Sequence, residues 1–131
     1  MNPTQTQLIN QAFSKSNAGQ IHFGQVIGML MEADVESYAV DFRSGTTTYY
    51  TKADQCYALS FAPSGTAVAQ QFSKDAVKQA IVSAQQGKVL YPEFKELVLA
   101  AGCIGYSVWI AGRHVVYFGR RGEQHVEFFP D

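Results

Sequence analysis

The 131-residue chain has few of the features that mark specialised classes of protein. Its two cysteines, Cys56 and Cys103, cannot form the disulfide framework of a small secreted protein, so a reduced cytoplasmic protein is expected. No apolar run approaches the roughly 20 residues that a membrane-spanning helix needs. Residues 1–4 lack the basic and apolar regions of a signal peptide.

The positive and negative charges of the chain also nearly balance. The net charge is −1, which gives no overall field favouring nucleic acid or an anionic membrane. A glycine-rich phosphate loop, a nucleophile elbow and a paired-cysteine zinc motif are all missing from the sequence. We therefore expect no cofactor, no metal, no nucleic-acid partner and no membrane partner. An unknown protein or small molecule is the expected partner, and the oligomeric state stays open.

What the chain does contain is an internal repeat. When the sequence is moved along itself by 68 positions, similar residues align without an insertion. The identical pairs are Gln11/Gln79, Ala12/Ala80, Gly19/Gly87, Ala33/Ala101, Tyr38/Tyr106, Val40/Val108, Tyr49/Tyr117 and Phe61/Phe129. Repeated units tend to bury their apolar faces against each other. A single domain of 1–131 is expected, with halves at about 1–63 and 69–131 joined by a short linker.

Each half has the same order of predicted elements. Asn2-Pro3 and Ser73 are typical helix starts, and apolar residues then recur at helical spacing. After a second helix in each half, the apolar period changes to two, which predicts three short strands. The pattern helix-helix-strand-strand-strand, present twice, predicts an α+β fold. We expect a two-layer sandwich with pseudo-twofold symmetry, whose antiparallel meanders form one sheet or two.

The differences between the halves indicate where a function could lie. Trp109 takes the position of Asp41, on the strand face opposite Tyr106 and Val108. Aromatic residues on both faces of the middle strands favour a sheet buried on two sides, so we expect the rest of the protein to cover Trp109. The alternative is that Trp109 is offered to a partner.

The last predicted strand carries Glu123, His125 and Glu127 on one face, because alternate strand residues share a face. Two nearby carboxylates favour the charged form of a histidine. Together with neighbours on adjacent strands, these residues predict one binding patch on the outer face of the sheet. Its candidate members are Trp109, Arg113, Tyr117, Glu123, His125 and Glu127.

Several chemical roles for this patch stay open. The favoured one is a noncatalytic site that binds a protein or a small molecule. In the enzymatic alternative, His125 is a general base oriented by Glu123 or Glu127, and Arg113 holds an anionic substrate. A metal site is disfavoured because three alternating side chains diverge along a strand. Cys103 follows a helix C-terminus and is expected to be a small buried residue rather than a nucleophile.

The C-terminal run from Ala101 to Tyr106, followed by Gly112-Arg113, Tyr117–Arg120 and Gly122–Pro130, resembles the YdfO-like family of small bacterial proteins. The segment 38–45 with 48–50 is also similar to that family. These proteins have no known function, are often labelled phage envelope proteins and are frequent in prophage regions. The resemblance implies an α+β domain, a bacterial and possibly prophage origin, and no established activity. It also leaves a structural phage component as a third alternative.

Overall fold

The computed structural model describes residues 1–130, which contain four helices and six strands. The elements are α1 (Pro3–Asn17), α2 (Phe23–Glu32), β1 (Val35–Asp41), β2 (Thr46–Thr51), β3 (Cys56–Ser60), α3 (Lys74–Gln85), α4 (Tyr91–Ala100), β4 (Cys103–Trp109), β5 (His114–Gly119) and β6 (Gln124–Phe128). The predicted pattern of two helices and three strands occurs twice, in order. The α+β fold class is therefore confirmed.

The strands form one antiparallel sheet in the order β3-β2-β1-β4-β5-β6. The two meanders are thus joined through β1 and β4, which answers the question that the sequence left open. Side chains from all four helices and from one face of the sheet form a common core. Among residues 1–130, no helix is both long enough and apolar enough to cross a membrane.

An approximate twofold axis passes between β1 and β4. Ala39 pairs with Ser107, and these residues are equivalents in the repeat because 39 + 68 = 107. On either side of this pair, Tyr38 lies opposite Val108 and Val40 lies opposite Tyr106. Each large side chain therefore meets a smaller one across the junction, which lets the two halves interdigitate.

The backbone repeats as closely as the element order does. The residues with positive φ form four pairs separated by 68 positions: Gly19/Gly87, Asp34/Gly102, Gly45/Arg113 and Asp54/Gly122. The same register shift also occurs at the start of β1, between Val35 and Ser37, and of β4, between Cys103 and Gly105. The two halves are therefore similar in backbone geometry well beyond their few identical residues.

The local signals in the sequence act as expected at the helix starts. The Asn2 side chain accepts a hydrogen bond of 2.8 Å from the Gln5 backbone N–H, and the Gln5 side-chain oxygen accepts one of 2.9 Å from the Asn2 backbone N–H. This is a capping box, which satisfies two donors that the first turn leaves free. Ser73 caps α3 by accepting from the Ala76 N–H at 3.1 Å.

One expectation about the sheet is wrong. The face away from the helices is not covered: Trp109 is 45% exposed, Tyr50 43% and Phe128 70%. Aromatic residues on both faces of β2 and β5 suggested a sheet buried on two sides, but all four helices pack on the same side. Alternation identifies the two faces of a strand, whereas only tertiary packing decides whether a second face is covered.

The linker between the halves crosses the start of β4 so closely that position 102 has no room for a side chain. Gly102 has φ +87°, and a Cβ there would lie 2.2 Å from the Gln71 carbonyl oxygen. Its counterpart Asp34 also has positive φ but precedes β1, where no linker passes. Arg120 holds the linker by donating to the carbonyl groups of Val68, at 2.9 Å, and Ala69, at 3.3 Å.

We expect Gly102→Ala to destabilise the fold far more than Gly122→Ala. Both glycines have positive φ, which costs a side chain about 1–2 kcal/mol. Only Gly102 adds a backbone clash, since a Cβ at Gly122 meets nothing within 4 Å. The overpacking should cost a further ~1–3 kcal/mol. Urea unfolding of both variants measures the difference, and equal losses would contradict this role of the linker.

Candidate functional site

A cavity of about 760 Å³ lies between the helices and the inner face of the sheet. The floor is formed by inward side chains of β1, β2, β4 and β5, and the walls come from all four helices. Protein interiors hold few voids larger than a water molecule. Small-molecule sites, in contrast, occupy about 300–1,000 Å³. The cavity between the helices and the sheet is therefore large enough to hold a small molecule.

The cavity straddles the pseudo-twofold axis. Most of its lining residues occur as repeat pairs, one from each half. The pairs on the sheet are Tyr38/Tyr106, Val40/Val108, Thr47/Val115 and Tyr49/Tyr117. Equivalent helix residues such as Phe13/Ile81 and Val26/Phe94 line the walls. The site is therefore a product of the junction between the halves, and neither half contains it alone.

Tyrosines dominate the floor. Tyr38 and Tyr49 have ring centroids 5.4 Å apart on neighbouring strands, and Tyr106 and Tyr117 repeat that pair at the same distance. Tyr91, at the first turn of α4, is hydrogen-bonded to Tyr106 through hydroxyl oxygens 2.8 Å apart. Ring separations in this range are favourable for aromatic pairs. Five tyrosines thus converge on one cavity.

Three of these hydroxyl groups have no partner in the protein. Among residues 1–130, tyrosine hydroxyls bond only between Tyr106 and Tyr91 and from Tyr57 to Asn10. Tyr38, Tyr49 and Tyr117 are only 6%, 3% and 7% exposed. No fully covered polar side-chain atom in this part of the chain lacks a partner, so their hydroxyl oxygens must face open space. That space is the cavity, which all three residues line.

Burial fixes the protonation state of this floor. It raises the pKa of Tyr38, Tyr49 and Tyr117 well above the usual value for tyrosine. The pKa of Tyr91 and Tyr106 is raised for the same reason. At neutral pH all five are uncharged phenols, because burial disfavours the charged form. They offer hydrogen-bond donors and acceptors in an otherwise aromatic and aliphatic space.

Near the C-terminal strand the cavity is bordered by the exposed residues Phe23 and Arg113, and we call this border the mouth. Phe23 from the start of α2 meets Phe129 in an edge-to-face contact, with ring centroids 5.4 Å apart. The Arg113 guanidinium carbon lies 5.7 Å from the centre of the same Phe129 ring. Glu127 lies on the inner face next to them and also lines the cavity. The mouth thus combines two aromatic rings with one guanidinium and one carboxylate.

The predicted patch is divided between the two faces of the sheet. His125 lies opposite Tyr117 and Glu127 opposite Val115, which places both on the inner face. Trp109 pairs with His114, on the outer face. The expectation of a single outer patch containing Trp109 and His125 is therefore wrong, because register across three strands decides which residues share a face.

The remaining predicted residues have distinct surroundings. His125 Nε2 is 2.9 Å from Glu127 Oε1, and the His125 ring stacks beside Tyr117 with centroids 6.3 Å apart. Glu123 does not orient the imidazole, since its carboxylate accepts from the Arg121 backbone N–H at 2.7 Å in the β5–β6 turn. Arg113, Tyr117 and Glu127 line the cavity, whereas His125 lies beside it. A binding role for these residues stays a prediction.

The sequence interpretation did not predict Tyr38, Tyr49, Tyr91 and Tyr106 as residues of a binding site. A signal for three of them was available, since Tyr38/Tyr106 and Tyr49/Tyr117 are identical repeat pairs on inward positions. Core packing is the more common reason for such a pattern, and the helix arrangement that leaves space above the rings is not readable from periodicity.

Two other chemical possibilities can be compared with the structure. Within residues 1–130, no group of three or more His, Cys, Asp or Glu side chains is placed to hold a metal ion. Cys103 is buried, as expected, and burial raises the pKa of its thiol to about 11. A thiol that stays protonated at neutral pH is a poor nucleophile.

Fold and cavity together define a small α+β protein with pseudo-twofold symmetry and an internal tyrosine-floored cavity. Residues 1–60 match a family model described as a protein of unknown function (DUF1398). That segment covers α1 to β3, the first of the two halves. A comparison with curated proteins found no match.

We expect the protein to lose stability as the pH rises above about 9. In the unfolded chain, cysteine and tyrosine ionise with pKa values of about 8.5 and 10. Burial raises both kinds of pKa in the folded state, for Cys103 to about 11. The stability that these groups contribute is fully present below their unfolded pKa values and is lost as pH rises towards the folded ones. Urea unfolding between pH 7 and 11 measures this decline.

Absorbance at 295 nm provides the check on this alkaline transition. The five cavity tyrosines should ionise together with unfolding rather than before it. Cys103→Ala should shift the start of the decline upwards, because it removes the thiol that ionises first. Ionisation of all tyrosines near pH 10 in a protein that is still folded would show that the cavity floor is open to solvent.

Proposed function

We propose that this protein binds a small, largely apolar molecule in the cavity between its helices and its sheet. The observation that carries the proposal is a set of three largely buried tyrosines whose hydroxyls have no protein partner within residues 1–130 and face one cavity. Because these hydroxyls face the open space of the cavity, a bound molecule can donate hydrogen bonds to them or accept hydrogen bonds from them. A ligand with an aromatic body and a hydrogen-bonding oxygen would supply both kinds of contact.

Binding is a better-supported function than catalysis. A general base must reach the proton that it removes. His125 lies beside the cavity, and its Nε2 already faces Glu127 at 2.9 Å. The phenols have raised pKa values, which suits hydrogen bonding to a ligand and disfavours the phenolate that a tyrosine base needs.

A second candidate is recognition of a partner protein on the outer face of the sheet. Trp109, Val126 and Phe128 are 45%, 43% and 70% exposed, and Trp109 and Phe128 both flank His114 in register. Exposed apolar groups that lie together are typical of interaction surfaces. Trp109 and Val126 lie outside the cavity lining, so a change at either leaves the cavity intact, whereas Phe128 borders both surfaces.

The proposal also covers the kinship of the protein and its location in the cell. The family that matches residues 1–60 has no assigned function, which fits a protein without an established activity. We keep the kinship with YdfO-like prophage proteins as a hypothesis, supported by the C-terminal motif at 101–130. A cytoplasmic location is supported by two free cysteines, of which Cys56 is exposed.

The proposal can be tested with N-phenyl-1-naphthylamine, a neutral aromatic dye that fluoresces in apolar surroundings. We expect saturable binding at one site per chain. Ala84→Trp should weaken this binding by about tenfold or more, since an indole would occupy cavity volume. Ala84 lies on α3, lines the cavity and is half-buried. Fluorescence titration gives the dissociation constants.

Val82→Trp is the matched control. Val82 is on the same helix, is 43% exposed and is not part of the cavity lining. This variant should bind the dye as the unchanged protein does. If both tryptophan variants weaken binding equally, or if the unchanged protein does not bind the dye, cavity binding is excluded for this ligand class.

A further inference from the structure

Of the two charged residues that line the cavity, the Glu127 side chain has a polar protein partner within residues 1–130 and that of Arg113 has none. The charged or titratable lining residues of the cavity, apart from the tyrosines, are His22, Arg113 and Glu127. Glu127 already contacts His125 at 2.9 Å. Within residues 1–130 no other side-chain nitrogen of Arg, Lys or His lies within 4.0 Å of a carboxylate oxygen, so Arg113 has no carboxylate at that distance. The guanidinium therefore remains available at the mouth.

Helix ends do not change this balance. The C-terminal ends of α1 and α3 and the N-terminal ends of α2 and α4 all border the cavity. Their partial charges are opposite in sign and offset each other. Of the two charged groups at the mouth, the Glu127 carboxylate already contacts His125, which leaves the Arg113 guanidinium as the group available to a ligand.

We propose that the ligand is a small aromatic monoanion, an inference that rests on the proposed function of the cavity. Its carboxylate or sulfonate binds Arg113 at the mouth, and its ring system lies over the tyrosine floor. A guanidinium matches the geometry of a planar anion such as a carboxylate through two parallel N–H donors. The uncharged Tyr38, Tyr49 and Tyr117 hydroxyls lie deeper and bind oxygen or nitrogen atoms of the ligand body.

The backbone at Arg113 supports a role for this side chain outside folding. Arg113 has φ +58°, in the left-handed region that glycine prefers, and its repeat counterpart is Gly45 with φ +70°. The fold thus accepts glycine in this turn, and arginine adds strain rather than stability. In the described residues, the side chain's one specific contact is the Phe129 ring at the cavity mouth.

The test compares two dyes that share one ring system. N-phenyl-1-naphthylamine is neutral, and 8-anilinonaphthalene-1-sulfonate carries one sulfonate on the same frame. The unchanged protein should bind the sulfonate about tenfold more tightly at low salt, the size expected of one charge-assisted contact. The advantage should shrink as salt is added.

Arg113→Gly should remove the advantage of the sulfonate, measured as the ratio of the dissociation constants of the neutral and the sulfonated dye for the same variant. Its melting temperature should be equal or higher, because the strain at φ +58° is relieved. Arg113→Gln keeps the backbone strain and the side-chain stem but loses the charge, and it should give the same binding result. Arg121→Gln, in the exposed β5–β6 turn, is the control for anions attracted elsewhere.

The outcomes separate the two proposals. If the neutral dye binds and the sulfonate gains nothing, or if the Arg113 variants keep the gain, anion selection by Arg113 is overturned while cavity binding stands. If neither dye binds, the proposed function itself fails. If Arg121→Gln abolishes the gain, the sulfonate is bound at the surface and the inference is wrong.

Discussion

The pairing of β1 with β4 is the constraint on which the rest of the structure depends. It joins two three-stranded meanders into one sheet at the equivalent residues Ala39 and Ser107. A three-stranded meander with two helices has little core to bury, and small units of this size gain stability by burying apolar area against a second copy. The junction supplies that area because Tyr38 and Tyr106 each face a valine across it.

The same junction explains why the fold has a cavity at all. Helices α1 and α2 pack on each other, as do α3 and α4, so each pair mainly belongs to its own half. The inward side chains nearest the junction line a cavity whose walls come from both helix pairs. Tyrosine suits this position, since its ring packs against the floor while its hydroxyl needs a polar partner. A cavity lined by phenols follows from joining the halves.

Sequence reasoning succeeded where the physics is local. Caps at Asn2 and Ser73, alternation along each strand and the sharing of one face by His125 and Glu127 all depend on neighbouring residues, although that face is the inner one and not the outer one expected. It failed at Trp109, because a face shared across β4, β5 and β6 depends on register between strands. The cavity was also out of reach, since it depends on where helices distant in sequence come to lie.

The two halves differ at the end of the cavity that Arg113 borders. In the first half, Tyr57 bonds to Asn10 on α1 at 3.0 Å, and Phe61 packs under the Lys95 ammonium at 4.1 Å. The counterparts of Tyr57 and Phe61 are His125 and Phe129, and the latter shares the mouth with Arg113. The paired tyrosines of the floor, in contrast, are identical in both halves.

In a duplicated fold, the tyrosines of the cavity floor can stay the same in both halves while residues at the mouth differ. The floor residues are part of the core that stabilises the fold, whereas the mouth residues are not. Arg113 illustrates the separation: its turn accepts glycine in the other half, so a change there leaves the β1–β4 junction untouched. The identity of a ligand can therefore change at the mouth without repacking the core that both halves share.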